Sequence, residues 1–176
     1  GIAFFIMIGL FVIHELSYDK FNEKKDRIYR LILDGKIGEQ EILGSFTPAP
    51  MAAALKEEIP EIIEACRMDN WGETVIRYED KTYIEDHFVL ADSTFFNIFS
   101  IPLIKGNPKE ALNAPHKVVL TESAAAKYFG NEDPIGKMLL IGTDTTQYSV
   151  TGICKDLPEN SHFEFNMLGS FLTHWR

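Results

Sequence analysis

The chain has 176 residues, 45% of them hydrophobic and 24% charged, with a formal net charge of −9. That length gives one compact domain or two small ones in close association, and the composition excludes a disordered chain. The acidic balance, unrelieved by any Arg-Gly tract or basic-aromatic stripe, excludes nucleic acid as a partner held by general attraction to phosphates.

The first thirteen residues, GIAFFIMIGLFVI, carry no charge and no polar side chain. A helix apolar on every face lies in protein or in lipid. A bilayer takes about 20 residues, so the run reads as the truncated end of a transmembrane helix. A buried core helix and a signal-peptide remnant are the alternatives, the latter without a small-x-small cleavage site after it. The next stretch, HELSYDKFNEKKDRIYRLIL, holds no Pro or Gly between Leu10 and Asp34. It predicts a stalk helix that continues the apolar run, with Lys24, Lys25, Asp26 and Arg27 on a solvated face, passing into a strand at Tyr29–Leu33.

Gly35 and Gly38 mark a turn. In SFTPAPMAAALKEEIPEI, Thr47 is the expected N-cap, Pro48 the first helical residue and Pro60 the stop. Met51, Leu55 and Ile59 recur every four residues as the expected core stripe. Strand-like segments follow: IIEACRM, ETVIRYED and KTYIEDHFVLAD, the last two separated by a Glu79-Asp80 turn. Asp92 or Ser93 caps a short aromatic helix in which Phe95, Phe96 and Phe99 read as core. HKVVLTESAAAKYFG then reads as a strand, a Thr121 cap, a helix and a Gly130 stop. Strands KMLLIG and QYSVTGICKDL follow across a Gly142–Thr146 turn. The final NSHFEFNMLGSFLTHWR is apolar at several positions and receives no element. Short strands and helices in alternation predict an α+β fold with mixed, ferredoxin-like β/α units.

Catalytic, cofactor and metal residues are all read as none. Gly130 and Gly136-Lys137 are spaced by five residues rather than four. Met138 stands where a phosphate loop needs Ser or Thr, and the setting is helix-to-strand instead of strand-to-helix. The histidines His14, His87, His116, His162 and His174 form no i, i+4 pair. His162 and Glu164 would need a third ligand to hold a metal. Ser123 lacks a nucleophile elbow, and Glu57 and Glu58 do not face each other. Cys66 and Cys154 lack paired metal-site or redox-site spacing; they read as two buried thiols, with one long-range disulfide as the alternative.

Four segments in order give the chain a family resemblance. They are ELSYDKFNEKKDRIYRL behind an apolar helix, FTPAPMAAALKEEIPEI, VLADSTFFNIFSIPLIKGNPKEAL, and VVLTESAAAKYFGNEDPIGKMLLI running into YSVTGICKDLPENSHFEF. Together they cover most of Leu16–Phe165 and resemble the extracytoplasmic core domain of MacB/FtsX-type ABC transporter permeases. The resemblance implies a two-lobed domain on the periplasmic side of the cell inner membrane. Residues 1–16 would end a first transmembrane helix and 17–28 would be a stalk helix. Residues 29–90 plus 148–176 would form the membrane-proximal lobe and 91–147 an inserted second lobe. It also implies that the domain does no chemistry and transmits motion driven by a separate ATP-binding subunit. Further partners would be a second permease, as homodimer or pseudo-dimer, and a periplasmic adaptor protein. The competing function is a membrane-anchored scaffold or sensor that recruits a partner such as a cell-wall hydrolase. Lys20, Lys24, Lys25, Arg27 and Arg30 pull towards a cytoplasmic placement by the positive-inside rule, which weakens before large translocated domains; the resemblance decides for the periplasmic side.

Overall fold

The computed structural model describes residues 1–175. Helix α1 (Ile2–Glu15) comes first, followed by turns and a single 3₁₀ turn at Lys25–Arg27. Strands β1 (Leu33–Ile37) and β2 (Gln40–Gly44) make a hairpin that is a sheet of its own, and α2 (Met51–Glu58) follows. The main sheet uses β3 (Met68–Asn70), β4 (Thr74–Tyr78), β5 (Lys81–Glu85), β6 (Phe88–Ala91), β7 (Leu103–Gly106), β8 (Lys117–Thr121), β9 (Met138–Ile141), β10 (Thr146–Cys154) and β11 (Met167–Ser170). Helix α3 (Phe95–Ile98) lies between β6 and β7, and α4 (Glu122–Phe129) between β8 and β9. The nine strands run in the order β3-β6-β11-β8-β10-β9-β4-β5, with β7 also paired to β10. Two pairs, β10 with β8 and β11 with β6, are parallel, and the rest are antiparallel. The expected mixed α+β class is what forms.

Alternation on the central strands explains why this sheet has a core on each face. In β8, Val118 and Leu120 point to one side and Val119 to the other, and all three are fully buried. Val118 and Leu120 meet Phe88, Leu139, Tyr148 and the α4 residues Tyr128 and Phe129. Val119 meets Leu168, Phe95 and Ile101 on the α3 side. Phe95 is completely buried, with Phe96 and Phe99 half-buried around it, as the aromatic helix predicts. Helix α4 forms as its signals require: Thr121 Oγ1 accepts from the Ala124 N–H, and Gly130 closes the helix at φ 59°. Gly106 has a stricter reason. At φ 98° it lies against β10, and a Cβ there would stand 2.5 Å from the Thr151 carbonyl oxygen.

Several elements differ from the sequence reading. The helix does not run on through 17–28. Its last residue is Glu15, Ser17 Oγ donates to His14 O at 2.6 Å, and Asp19 takes a left-handed φ of 54°. Side chain-to-backbone bonds of this kind compete with helix continuation. Tyr29–Ile32 is not strand; with no neighbouring strand to pair with, Tyr29, Leu31 and Ile32 stand exposed. Helix α2 starts at Met51, since Ala49, the residue before Pro50, is biased away from helical backbone angles; the Met51 amide bonds to Pro48 O and the Ala54 amide to Pro50 O. None of its residues is buried, so Met51, Leu55 and Ile59 are not core. Of IIEACRM, only Met68 enters a strand. Neither Asp92 nor Ser93 caps α3: Thr94 holds the N-cap position but turns its hydroxyl to Ala65 O instead of capping, and the Asp92 carboxylate is committed to Arg67. The unassigned C-terminal stretch supplies β11, wholly buried between β6 and β8.

Candidate functional site: the junction between the apolar helix and the sheet

Helix α1 has no buried residue; Phe5 is 78% and Phe11 64% exposed, so it packs no face into the core of the sheet. Among the described residues no helix is long and apolar enough to cross a membrane. Residues 17–24, just after α1, fasten it to the domain against two segments distant in sequence.

The first contact is with the 160–162 segment. Asn160 Nδ2 donates to Ser17 O at 2.8 Å and to Ser17 Oγ at 3.1 Å. The Asp19 N–H donates to Asn160 O at 2.9 Å. The His162 N–H donates to Asp19 Oδ1 at 3.1 Å, and His162 Nδ1 lies 2.6 Å from Asp19 Oδ2. The left-handed turn at Asp19 aims its carboxylate at that backbone and ring together. Tyr18 sits between His14, at 5.5 Å between ring centroids, and His162, at 4.8 Å. The second contact is with the end of α3. Asn22, only 3% exposed, accepts the Ser100 N–H on Oδ1 at 3.0 Å, while the Glu23 N–H donates to Ser100 Oγ at 3.0 Å. The Lys24 ammonium donates to Asn97 O. Phe21, half-buried, packs into the α3-side core.

Each such bond contributes about 0.5–1.5 kcal/mol net, but removing the Asn22 side chain strands a buried amide at about 1–3 kcal/mol. The joint is therefore held in place without being helical: many short bonds to two separate segments fix residues 17–24, on which α1 is mounted. Sequence reasoning placed a coupling element here but took it for continuous helix. Its partners Ser100, Asn160 and His162 were missed, and no local signal marks contacts that reach across 143 residues.

The remaining charged groups serve structure. Lys137 gives its ammonium to the Glu132 carboxylate and to Tyr78 Oη. The Gly136 N–H is taken by Val150 O and the Lys137 N–H by Pro134 O. The loop thus presents neither a free cation nor a nest of amides for phosphate. His162 turns to Asp19, whereas Glu164 turns to His87 at 3.7 Å, so the two do not share a ligand site. Among the described residues no three His, Cys, Asp or Glu side chains gather to hold a metal. Cys66 is half-buried, Cys154 buried, and both are free; burial pushes each thiol up to about 12. A surface depression of about 290 Å³ includes Glu110, Lys117 and Ser149, but the Lys117 ammonium is already held by Glu110 O and Asn113 Oδ1.

Glu85 is the deepest carboxylate, 2% exposed at the edge of the sheet. Burial pushes its pKa up, but hydrogen bonds from Lys127, Tyr128 and Asn166 more than offset this and hold it below the usual range. Burial, and then the Glu85 carboxylate, push the Tyr128 phenol upwards, so it stays a donor. This cluster ties β5, α4 and the entry to β11.

Fold and junction define the class of protein: a mixed α+β sheet domain fastened to the end of an apolar helix. Its family follows from its relatives. The chain matches the model of the MacB-like periplasmic core domain over residues 1–174 and belongs to that family, the extracytoplasmic domain of MacB-type ABC transporter permeases. It is similar, at 31% identity and a TM-score of 0.67, to the crystal structure of a domain of a protein assigned as a permease from Porphyromonas gingivalis. That match covers 78% of this chain and 57% of the other. The periplasmic region of MacB from Actinobacillus actinomycetemcomitans has the same fold at 20% identity and a TM-score of 0.52, over 69% of this chain and 54% of the other. The chain thus spans little more than half the length of these solved relatives. No curated protein is similar to it at a significant level.

Proposed function

We propose that this domain transmits motion between a membrane helix and the extracytoplasmic face of an ABC permease, in the service of exporting a substrate across the cell envelope. The single observation that carries the reading is the junction, where residues 17–24 fix an all-round apolar helix to two separate parts of the sheet. A tether that only anchors a binding module needs no such joint; a lever does. In this reading α1 ends a membrane helix in the cell inner membrane and the sheet lies on the periplasmic side. ATP is hydrolysed on a separate ATP-binding subunit. A second permease completes a homodimer or pseudo-dimer, and a periplasmic adaptor protein is a further partner. A division into a membrane-proximal lobe (29–90 plus 148–176) and a second lobe (91–147) runs, in this proposal, through one continuous sheet, because β8 pairs with both β10 and β11.

The competing scaffold reading predicts a domain that works without turnover. The deciding experiment inactivates ATP hydrolysis in the partner subunit while keeping the complex assembled. Loss of the export phenotype supports transmission. Full function with a hydrolysis-dead partner would establish the membrane-anchored recruiting module instead.

A further inference from the structure

On the sheet, cations are matched to carboxylates: Arg67 to Asp92, Lys105 to Asp133, Lys127 to Glu85 and Lys137 to Glu132. The stretch from Lys20 to Arg30 is different. It carries Lys20, Lys24, Lys25, Arg27 and Arg30 against the carboxylates of Glu23 and Asp26, in a chain whose net charge is −9. No other stretch of the sequence gathers Lys and Arg so closely. Lys24 gives its ammonium to Asn97 O. Lys20, Lys25, Arg27 and Arg30 are exposed and join no ion pair among the described residues, although Glu23 and Asp26 lie beside them in sequence.

The cluster also stands where the apolar helix ends. Amides of Ser17, Lys20, Asn22, Lys25 and Arg27 each bond to the carbonyl three residues back. A chain turning that tightly advances about 2 Å per residue at most, as a 3₁₀ helix does, so Lys20 stays within about 10 Å of Glu15. The polar layer of a bilayer is about 5–7 Å deep beyond the hydrocarbon edge. With Ile13 at that edge, the long Lys20 side chain reaches the phosphate layer, and Lys25 and Arg27 follow one and two turns later. Nearer the apolar run, Asp19 is turned to His162, which leaves Glu15 as the opposing charge.

We propose that Lys20, Lys25, Arg27 and Arg30 form a docking surface for the phosphates of anionic phospholipid headgroups, which hold the joint at a fixed height on the bilayer. Charge complementarity and continuity with the apolar helix choose this occupant. Each guanidinium grips a phosphate through two N–H groups, and the ammonium groups act as point charges. The inference rests on the reading of α1 as the end of a membrane helix and holds for either face of the bilayer.

The test uses the full-length permease in vesicles of phosphatidylcholine with a minor share of phosphatidylglycerol. A photoreactive benzoyl-phenylalanine replaces exposed Leu16, between the apolar run and the cluster, or exposed Phe5, within α1. Mass spectrometry reads which lipid each position captures. At Leu16 the adducts should be enriched in phosphatidylglycerol about fivefold over its share of the vesicle. High salt should lower the enrichment by screening. Combined Lys20→Gln, Lys25→Gln, Arg27→Gln and Arg30→Gln should return it to the bulk ratio, whereas Arg27→Lys with Arg30→Lys should keep it. Phe5 should capture lipid in every variant. Lipid capture at Phe5 with the bulk ratio at Leu16, or enrichment that survives the four Gln changes, would overturn the proposal and leave the membrane helix standing. Capture of protein instead of lipid at Leu16 would make the junction a partner surface and overturn it too. No lipid at Phe5 would remove the membrane-helix reading itself, and the proposal with it.

Discussion

The central strands and the 23–73 segment are built from similar amino acids and end in opposite environments. Strand β8 buries Val118, Val119, Leu120 and Thr121 between two cores. The hairpin and α2 carry Ile42, Leu43, Met51 and Leu55, and bury none of them. Hydrophobicity alone therefore does not make a core; what matters is whether another element lies at packing distance. The same substitution made in both regions separates them most sharply. Leu120→Ala should cost about 3 kcal/mol, because the site is fully enclosed and cannot collapse. Leu43→Ala should cost less than about 0.5 kcal/mol in residues 1–176. Urea denaturation measures both, and equal values for Leu120 and Leu43 would erase the contrast.

The same contrast explains what was legible in the sequence. The β8–α4–β9–β10 unit could be read almost residue by residue, because alternation, the Thr121 cap and the Gly130 stop all agree with its environment. Helix α2 also announces itself through Pro48 and Pro60, yet its stripe misleads, since a four-residue repeat shows which face is apolar and not what meets it. Strand β11 was invisible because four residues with a glycine carry no period. Gly169 earns its place only in three dimensions, where Leu90 and Phe88 close to within 2.8 Å of where its Cβ would be. The junction was half legible: its position follows from the end of the apolar run, whereas its partners Ser100, Asn160 and His162 depend on long-range closure.

A second comparison sets the buried polar cluster against the exposed pairs. Glu85→Gln should lose about 2 kcal/mol by weakening the bonds from Lys127, Tyr128 and Asn166. Its pKa is lowered in the folded state, so its contribution is fully present above the unfolded carboxyl value of about 4.3. That contribution is lost as pH falls through the lower folded value. The wild type should therefore show an acid-limb loss of stability that Glu85→Gln lacks; parallel acid limbs would contradict it. The Lys105–Asp133 pair, by contrast, lies in solvent, where water and salt screen it, so breaking it should leave stability almost unchanged.

The thiols offer a kinetic form of the comparison. With burial pushing both to about 12, Cys66 and Cys154 should be almost unreactive towards an aromatic disulfide reagent at pH 8 in the folded protein. Both should react after denaturation without reductant. Finding no free thiol after denaturation would establish a disulfide. The smallest effect belongs to Lys137→Ala, which should shift stability by less than about 1 kcal/mol by freeing an ion pair at the surface. It should not alter the response to ATP; a saturable ATP-dependent shift in melting temperature, abolished by the variant, would contradict the structural role.

The central claim is that the joint at residues 17–24 carries motion, and uncoupling measures it most directly. In the full-length complex, Asp19→Ala combined with Asn22→Ala removes the carboxylate that holds His162 and the amide that holds Ser100. The main cores lie elsewhere, so the sheet should remain folded by circular dichroism. ATP hydrolysis by the partner subunit should continue while export per ATP falls at least severalfold. Export per ATP unchanged in a folded double variant would show that the junction positions the domain without transmitting force.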